Sequence, residues 1–302
     1  MRHFVGLILL TCCSLMNCIP DFGDPISRLS GTRILAIRSE PAEVFPGEAV
    51  ALQLVAADEH GALMDQDIEW ALCTAPKPPV ENRTISEACL TDGAQRIADT
   101  AQTITTLIPE DACARFGPEL PPQGTGESTA RPRDADATGG YYQPVRAKLG
   151  ALVAVGLVRI RCGVASVTPE VSARFRREYV PNRNPFASTL SAEHHGLAIP
   201  LSALPADTQV TLKLSVPRAA KESFLLFDTK IQTLIDAEET LRVSWLSAQG
   251  DFSVAATSVA DGSGQSLFRT PNQPGPLLVW TVLRDVRGGV SVQTHALEVR
   301  TK

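Results

Sequence analysis

The chain has 302 residues, with 28 lysines and arginines against 33 aspartates and glutamates, a formal net charge of −5 and a pI near 5.6. That balance, with no basic stripe, excludes nucleic acid as a partner. Aromatic residues make up 5% of the chain while 21 glycines and 22 prolines punctuate it, a composition that suits many short strands joined by turns.

At the N-terminus, Met1-Arg2-His3 supplies a small positive segment and residues 4–10 (FVGLILL) an apolar core. The run falls short of the about 20 apolar residues that span a bilayer. It reads as the core of an export signal over residues 1–17. Leu15-Met16-Asn17-Cys18 resembles the lipobox of bacterial lipoproteins, with Asn17 where Gly, Ala or Ser is usual. The resemblance implies cleavage before Cys18 and acylation of that cysteine. Cys12 or Cys13, after Leu10-Thr11, is a rival that leaves a very short signal, and an export signal with incidental cysteines is a third reading. Ile19, not Asp, follows Cys18; by resemblance to lipoproteins of Gram-negative bacteria this implies passage to the outer membrane. Stable anchoring needs more than one lipid chain, which a modified N-terminal cysteine carries, so the membrane is the first expected partner. Residues 18–32, with two prolines and two glycines after Cys18, are expected to form a flexible tether. The remaining chain suffices for two domains.

The first domain is expected over residues 33–167. Val50, Leu52, Leu54 and Ala56 alternate along one strand, and Ile68, Trp70 and Leu72 along another, with Pro46-Gly47 and residues 58–61 as turns. This stretch resembles the opening strands of a bacterial immunoglobulin-like domain, in which Trp70 would fill the sandwich core. A long loop insertion is expected at about 74–140; within it residues 100–109 (TAQTITTLIP) can form a strand, and the Pro/Gly-rich part (117–140) reads as exposed. Within it, Asp134, Asp136 and Thr138 precede Gly139 in a spacing loosely like a calcium loop, but Val145 stands where the closing Glu belongs. Asn82-Arg83-Thr84 is a glycosylation sequon of no weight in a bacterium. Strands resume from residue 142 and end in the apolar run 150–160.

Four cysteines remain after the signal: Cys73, Cys89, Cys113 and Cys162. In an exported chain they suggest two disulfides; without a CxxC pair or a nearby histidine, a metal site is disfavoured. One pairing joins Cys73 to Cys89 across a short loop and Cys113 to Cys162 across the insertion. A pairing of Cys73 with Cys162, two strand ends, stays open.

Residues 168–185 hold the clearest helix. Thr168 is placed to cap it, Pro169 suits its first turn, and Val171, Phe175 and Tyr179 share one face. Arg174, Arg176 and Arg177 fall elsewhere and read as its wet face rather than as an acidic-ligand patch. Pro181 is expected to end the helix, and residues 182–185 to form a hinge. The second domain, 186–302, shows six alternating strands, with Trp245 on a middle one. Asp285, Arg287, Gly288 and Gly289 are expected to form a tight turn, Asp285 capping it and both glycines supplying positive φ. His194-His195, beside Glu193, is the sole histidine pair; adjacent strand residues point to opposite faces, which argues against one shared metal.

Both halves together resemble lipoproteins of myxobacterial type with immunoglobulin-like or PKD-like sandwich domains. The resemblance implies an all-β fold of two immunoglobulin-like sandwiches in tandem with one short amphipathic helix between them, and an outer-membrane location. It implies no activity. The sequence holds no G-x-S-x-G, P-loop, H-E-x-x-H or G-x-G-x-x-G motif. No catalytic residue, metal ligand or cofactor is therefore expected. The expected role is a non-catalytic envelope module that binds a protein or polysaccharide; the alternative is a glycan-acting envelope enzyme whose carboxylate pair sequence spacing does not reveal.

Overall fold

The computed structural model describes residues 25–76, 85–91, 94–117, 140–164, 167–228 and 230–301. Among them, nine strands build the first sandwich: β1 (Arg33–Glu40), β2 (Glu43–Val44), β3 (Ala49–Asp58), β4 (Gly61–Leu63), β5 (Glu69–Cys73), β6 (Ala94–Arg96), β7 (Thr103–Leu107), β8 (Gly140–Leu149) and β9 (Leu152–Arg161). One sheet is β1-β3-β4 with β7 on β3; the other runs β2-β9-β8-β5-β6. Their inner faces meet in a core that holds Leu52, Leu54, Trp70, Ile104 and Val145. The period-two alternation of β3 places Val50, Leu52, Leu54 and Ala56 on that face. Burying each large aliphatic chain of this kind stabilises the fold by about 1.5–3 kcal/mol. The Trp70 indole N–H donates to the Ala101 carbonyl, so its polar edge is satisfied inside the core.

Twelve strands follow: β10 (Leu190–His194), β11 (Leu197–Ile199), β12 (Leu204–Pro205), β13 (Gln209–Ser215), β14 (Ser223–Asp228), β15 (Thr233–Glu238), β16 (Leu241–Ser247), β17 (Asp251–Phe252), β18 (Ala256–Ser258), β19 (Ser263–Arg269), β20 (Gly275–Asp285) and β21 (Val290–Arg300). Sheets β11-β10-β13-β19-β17 and β12-β21-β20-β16-β18 enclose the second core, built around Trp245, Phe268, Val243 and Leu212. Both domains make the same exchange. The opening strand pairs antiparallel in one sheet (β1 with β3, β10 with β13), then a short second segment crosses over and pairs parallel with the last strand (β2 with β9, β12 with β21). The protein is thus an all-β tandem of two immunoglobulin-like sandwiches, with two short helices, α1 (Ala112–Phe116) and α2 (Pro169–Glu178).

Several expectations need correction. Within the insertion expected over residues 74–140, the strand read at 100–109 forms as β7, which pairs with β3 from Ala49↔Leu107 to Gln53↔Thr103, whereas β6, read as polar loop, extends β5. β6 is three residues long and polar, which hides strand periodicity. The tether is not free through residue 32. Leu29 is fully buried, and residues 27–29 extend the edge of β16, with Leu29 N donating to Ser247 O and Ser247 N to Ser27 O. Helix α2 begins as expected, Thr168 Oγ1 accepting from Val171 N, but ends at Glu178 because Tyr179 is already extended. Gly264 lies within β19, and a Cβ there would meet Val243 Cγ2 at 2.7 Å, so glycine makes room for the core.

The domains pack side by side. Leu29, Leu35, Ala36 and Ala57 of the N-terminal part meet Leu246, Trp280, Val282 and Val290 on the outer face of the β16-β20-β21 sheet. Phe175 of α2 and Tyr179 just after it pack onto Leu225, Phe227 and Leu234 of the β14–β15 ribbon.

Candidate binding site at the domain junction

Where α2 leaves the first sandwich, the junction is sealed by charged side chains that reach no solvent. Arg159 on β9 donates from Nε to Glu43 Oε2 at 3.2 Å, and each of these side chains is 1% exposed. The Tyr179 hydroxyl joins them, 2.7 Å from Glu43 Oε2 and 3.1 Å from Arg159 Nη2. Arg159 Nη1 also donates to the Tyr142 hydroxyl at 3.1 Å. From the second sandwich, Arg287 donates from Nε to Glu239 at 2.7 Å and from Nη2 to Glu222 at 2.9 Å. Its Nη1 donates to the Val180 carbonyl at 2.9 Å, and its guanidinium stacks over Phe224. Arg183, mostly exposed, closes the rim on Glu222. Three carboxylates therefore face three guanidiniums, drawn from both sandwiches and the connection between them.

The electrostatics follow from this closure. Burial pushes the Tyr179 phenol up to about 12, with Glu43 adding to the shift and Arg159 opposing it, so the hydroxyl stays a donor to Glu43. Burial alone would lower Arg159, but Tyr179, Tyr142 and Glu43 hold it above the ordinary arginine value. Glu239 is raised by burial against the opposing hydrogen bond from Arg287. Breaking any one of these pairs strands a buried charge without its partner.

The hinge expected at residues 182–185 is corrected by the same contacts. Asn182 N donates to Glu43 Oε2 at 2.8 Å, Arg183 N to Glu222 at 2.9 Å, and Asn184 Nδ2 to the Ser39 carbonyl at 2.7 Å. Polar residues around a proline suggest a loose connection, but here each has a buried or partly buried partner. The turn expected at residues 285–289 forms, with Asp285 Oδ1 accepting from Arg287 N and Gly289 N. Gly288 has φ +101°, while Gly289 is needed for close approach instead: a Cβ there would strike the Asp285 carboxylate. Reading Arg287 as a mere turn residue missed its buried role.

Beside this network lies an open groove of about 500 Å³. Its floor and walls are Ile34 and Ile37 of β1, Gly156 and Leu157 of β9, Tyr142, and the β20–β21 turn with Arg284 and Val286. It belongs to both sandwiches, the usual setting for a ligand cleft. A second groove, about 610 Å³, is lined in part by Glu69, Arg96 and Lys148, but Glu69 already bridges Arg96 at 3.0 Å and Arg146 at 3.1 Å.

Other sequence candidates fall as follows. Cys73 is joined to Cys89 and Cys113 to Cys162, closing separations of 16 and 49 residues, which loop entropy values at about 3 and 4 kcal/mol. Trp70 and Trp245 are core residues. Arg174 and Arg177 pair with Glu178, and Arg176 with Ser172, on the wet side of α2. The histidine reading is corrected. His195 has φ +51° in the turn between β10 and β11, and the two rings lie 4.1 Å apart on one side rather than on opposite faces. Among the described residues no group of His, Cys, Asp and Glu side chains could hold a metal, and no helix is long and apolar enough to cross a membrane. Cys12, Cys13, Cys18, the sequon at Asn82 and the acidic loop at Asp134, Asp136, Thr138 and Gly139 lie outside the described residues.

No protein-family model matches the chain, and no curated protein matches it. Among solved structures it is similar to the D00–D0 domain of intimin, with TM-score 0.25 and 11% identity over 90% of this chain and 99% of that one. It is also similar to a chimeric titin Z1Z2 tandem, with TM-score 0.24 and 10% identity over 90% and 100%. A glycosyl hydrolase family 2 member from Bacteroides cellulosilyticus gives TM-score 0.25 and 10% identity, over 85% of this chain and 23% of that one. Likenesses at these TM-scores carry no argument about function.

Proposed function

We propose that this protein is a non-catalytic binding module of the bacterial cell envelope, held to the outer membrane by lipid on Cys18, that presents a fixed two-sandwich surface to a partner. The observation that carries the reading is the buried network joining Glu43 and Arg159 through Tyr179 to Arg287, Glu222 and Glu239. Buried ion pairs add little net stability; in this reading their role is to specify one packing of the two sandwiches. A chain that fixes its domains in this way keeps a junction groove preorganised, which raises affinity by lowering the ordering cost of binding. Two disulfides suit an oxidising compartment outside the cytoplasm.

Fractionation with labelled palmitate and protease shaving of intact cells tests the location. Wild-type protein is expected to incorporate label and fractionate with the outer membrane, and Cys18→Ser to lose both properties. Cleavage in intact cells assigns the module to the cell surface; protection until the outer membrane is opened assigns it to the periplasmic face. Membrane association unchanged by Cys18→Ser would remove the lipid anchor from the reading.

A further inference from the structure

We propose that the junction groove is a docking site for an extended acidic peptide segment of a partner protein, paired along the open edge of β9 and held by Arg284. The inference rests on the reading of the chain as a binding module and names the chemistry of its ligand.

Three observations carry it. First, β9 is paired with β8 along one edge, whereas β2 covers only Arg159 and Ile160 on the other. Among the described residues, no strand hydrogen-bonds to that second edge at residues 154–157, where the groove runs beside β1 and Ile37 packs over Gly156. Unpaired strand edges of this kind accept an added strand through main-chain hydrogen bonds, with alternate side chains entering pockets. Second, the walls are aliphatic and partly open: Leu157 is 37% and Val286 55% exposed. They suit every second residue of an extended chain.

Third, the groove carries an unbalanced positive charge. Arg284 donates to the Leu35 carbonyl at 2.8 Å and meets no carboxylate within salt-bridge distance among the described residues. Directly opposite it in register stands Arg242 on β16, likewise without an ion pair among the described residues. Two like charges at one cross-strand position repel each other. The one carboxylate in the groove, Asp285, is taken up by the Arg287 and Gly289 amides. An acidic side chain from a bound strand would give Arg284 its counter-charge and ease its repulsion with Arg242. A polyanionic glycan would satisfy Arg284 as well, but it would leave the β9 edge and the aliphatic walls unused.

Selection of a random decapeptide display library against the purified full chain tests the proposal. Enriched peptides are expected to alternate aliphatic residues with Asp or Glu. A fluorescent copy of the best of them should lose at least tenfold in affinity to Arg284→Glu, measured on variant protein whose cooperative melting shows that it is folded. Val286→Asp, a change at an exposed groove wall, should have a similar effect, while Leu197→Asp on β11 in the opposite sheet should have none. N-methylation of alternate peptide amides should abolish binding. Enrichment without acidic residues, equal affinity for Arg284→Glu, or indifference to N-methylation would each overturn the proposal. Arg284-dependent binding of polygalacturonate with no peptide enriched would overturn it in favour of a glycan. These readouts use purified protein, so their failure is distinguishable from failure of the membrane location.

Discussion

Arg287 and Glu239 meet at 2.7 Å with side-chain exposures of 0% and 1%, linking the β20–β21 turn to the segment between β15 and β16. Removing the cation alone leaves Glu239 and Glu222 buried without their main counter-charge. Arg287→Met should therefore lower the free energy of unfolding by about 3–5 kcal/mol. Replacing all three as Arg287→Met, Glu222→Gln and Glu239→Gln should recover much of that loss, since no charge is then stranded. Urea unfolding measures both, and small-angle scattering reads the domain arrangement. A loss below about 1 kcal/mol in the single variant would mean that the junction is wetter than its geometry shows.

Tyr179 gives the junction a signature at alkaline pH. Its folded-state pKa is raised from 10.0 to about 12. A raised folded-state pKa means that the stabilisation is fully present below pH 10 and is lost as pH rises toward 12. A shift of that size corresponds to about 2–3 kcal/mol. The chain has three tyrosines, so phenolate absorbance should show a late component that vanishes in Tyr179→Phe. The variant should also lose less stability than wild type across that window. If Tyr179→Phe leaves the titration curve unchanged, the phenol is not sealed.

The sequence makes the frame of this molecule legible and hides its junction. Val50, Leu52 and Leu54 on β3, and Val210, Leu212 and Leu214 on β13, announce themselves through strict alternation. Thr168 and Pro169 announce the start of α2 in the same local way. Glu43, Arg159, Glu222, Glu239 and Arg287 carry no such signal, because their partners lie between 48 and 116 residues away where the pairs cross segments. A charged residue with a distant partner looks the same in sequence as a solvated one. Arg159 lies within the apolar run of β9, and a charge in such a run is the one cue that could have been read. β15 (TLIDAE) was hidden for another reason: it forms a two-stranded ribbon with β14, and that ribbon's apolar residues pack on α2 rather than inside a sandwich.

Leu29 tests whether the N-terminal segment is part of the fold. It is fully buried with Leu35, Leu246 and Trp280, and its neighbours complete the free edge of β16. Leu29→Ala should cost about 2–5 kcal/mol. It should also release residues 25–31, so that the Ser247 amide, which donates to Ser27 O, exchanges its hydrogen faster. Hydrogen exchange together with limited proteolysis checks this. Unchanged protection at Ser247 would return residues 27–29 to the tether.

Gly140 places the strictest limit on the network. It opens β8 directly over Arg159, and a Cβ added there would run into the Arg159 guanidinium. The far end of a flexible arginine normally moves aside at small cost. This one is held by Glu43, Tyr142 and Tyr179, so displacing it strands a carboxylate on the other side. Gly140→Ala is therefore expected to destabilise the chain by about 1–3 kcal/mol, as overpacking does. Gly31, with no atom within 4 Å of an added Cβ, is the control, and Gly31→Ala should stay within about 0.5 kcal/mol of wild type. Thermal unfolding of the two variants side by side decides the matter. Equal stabilities would show that Arg159 can swing clear of its partners, and the junction would then owe its alignment to Trp280 and its apolar neighbours alone.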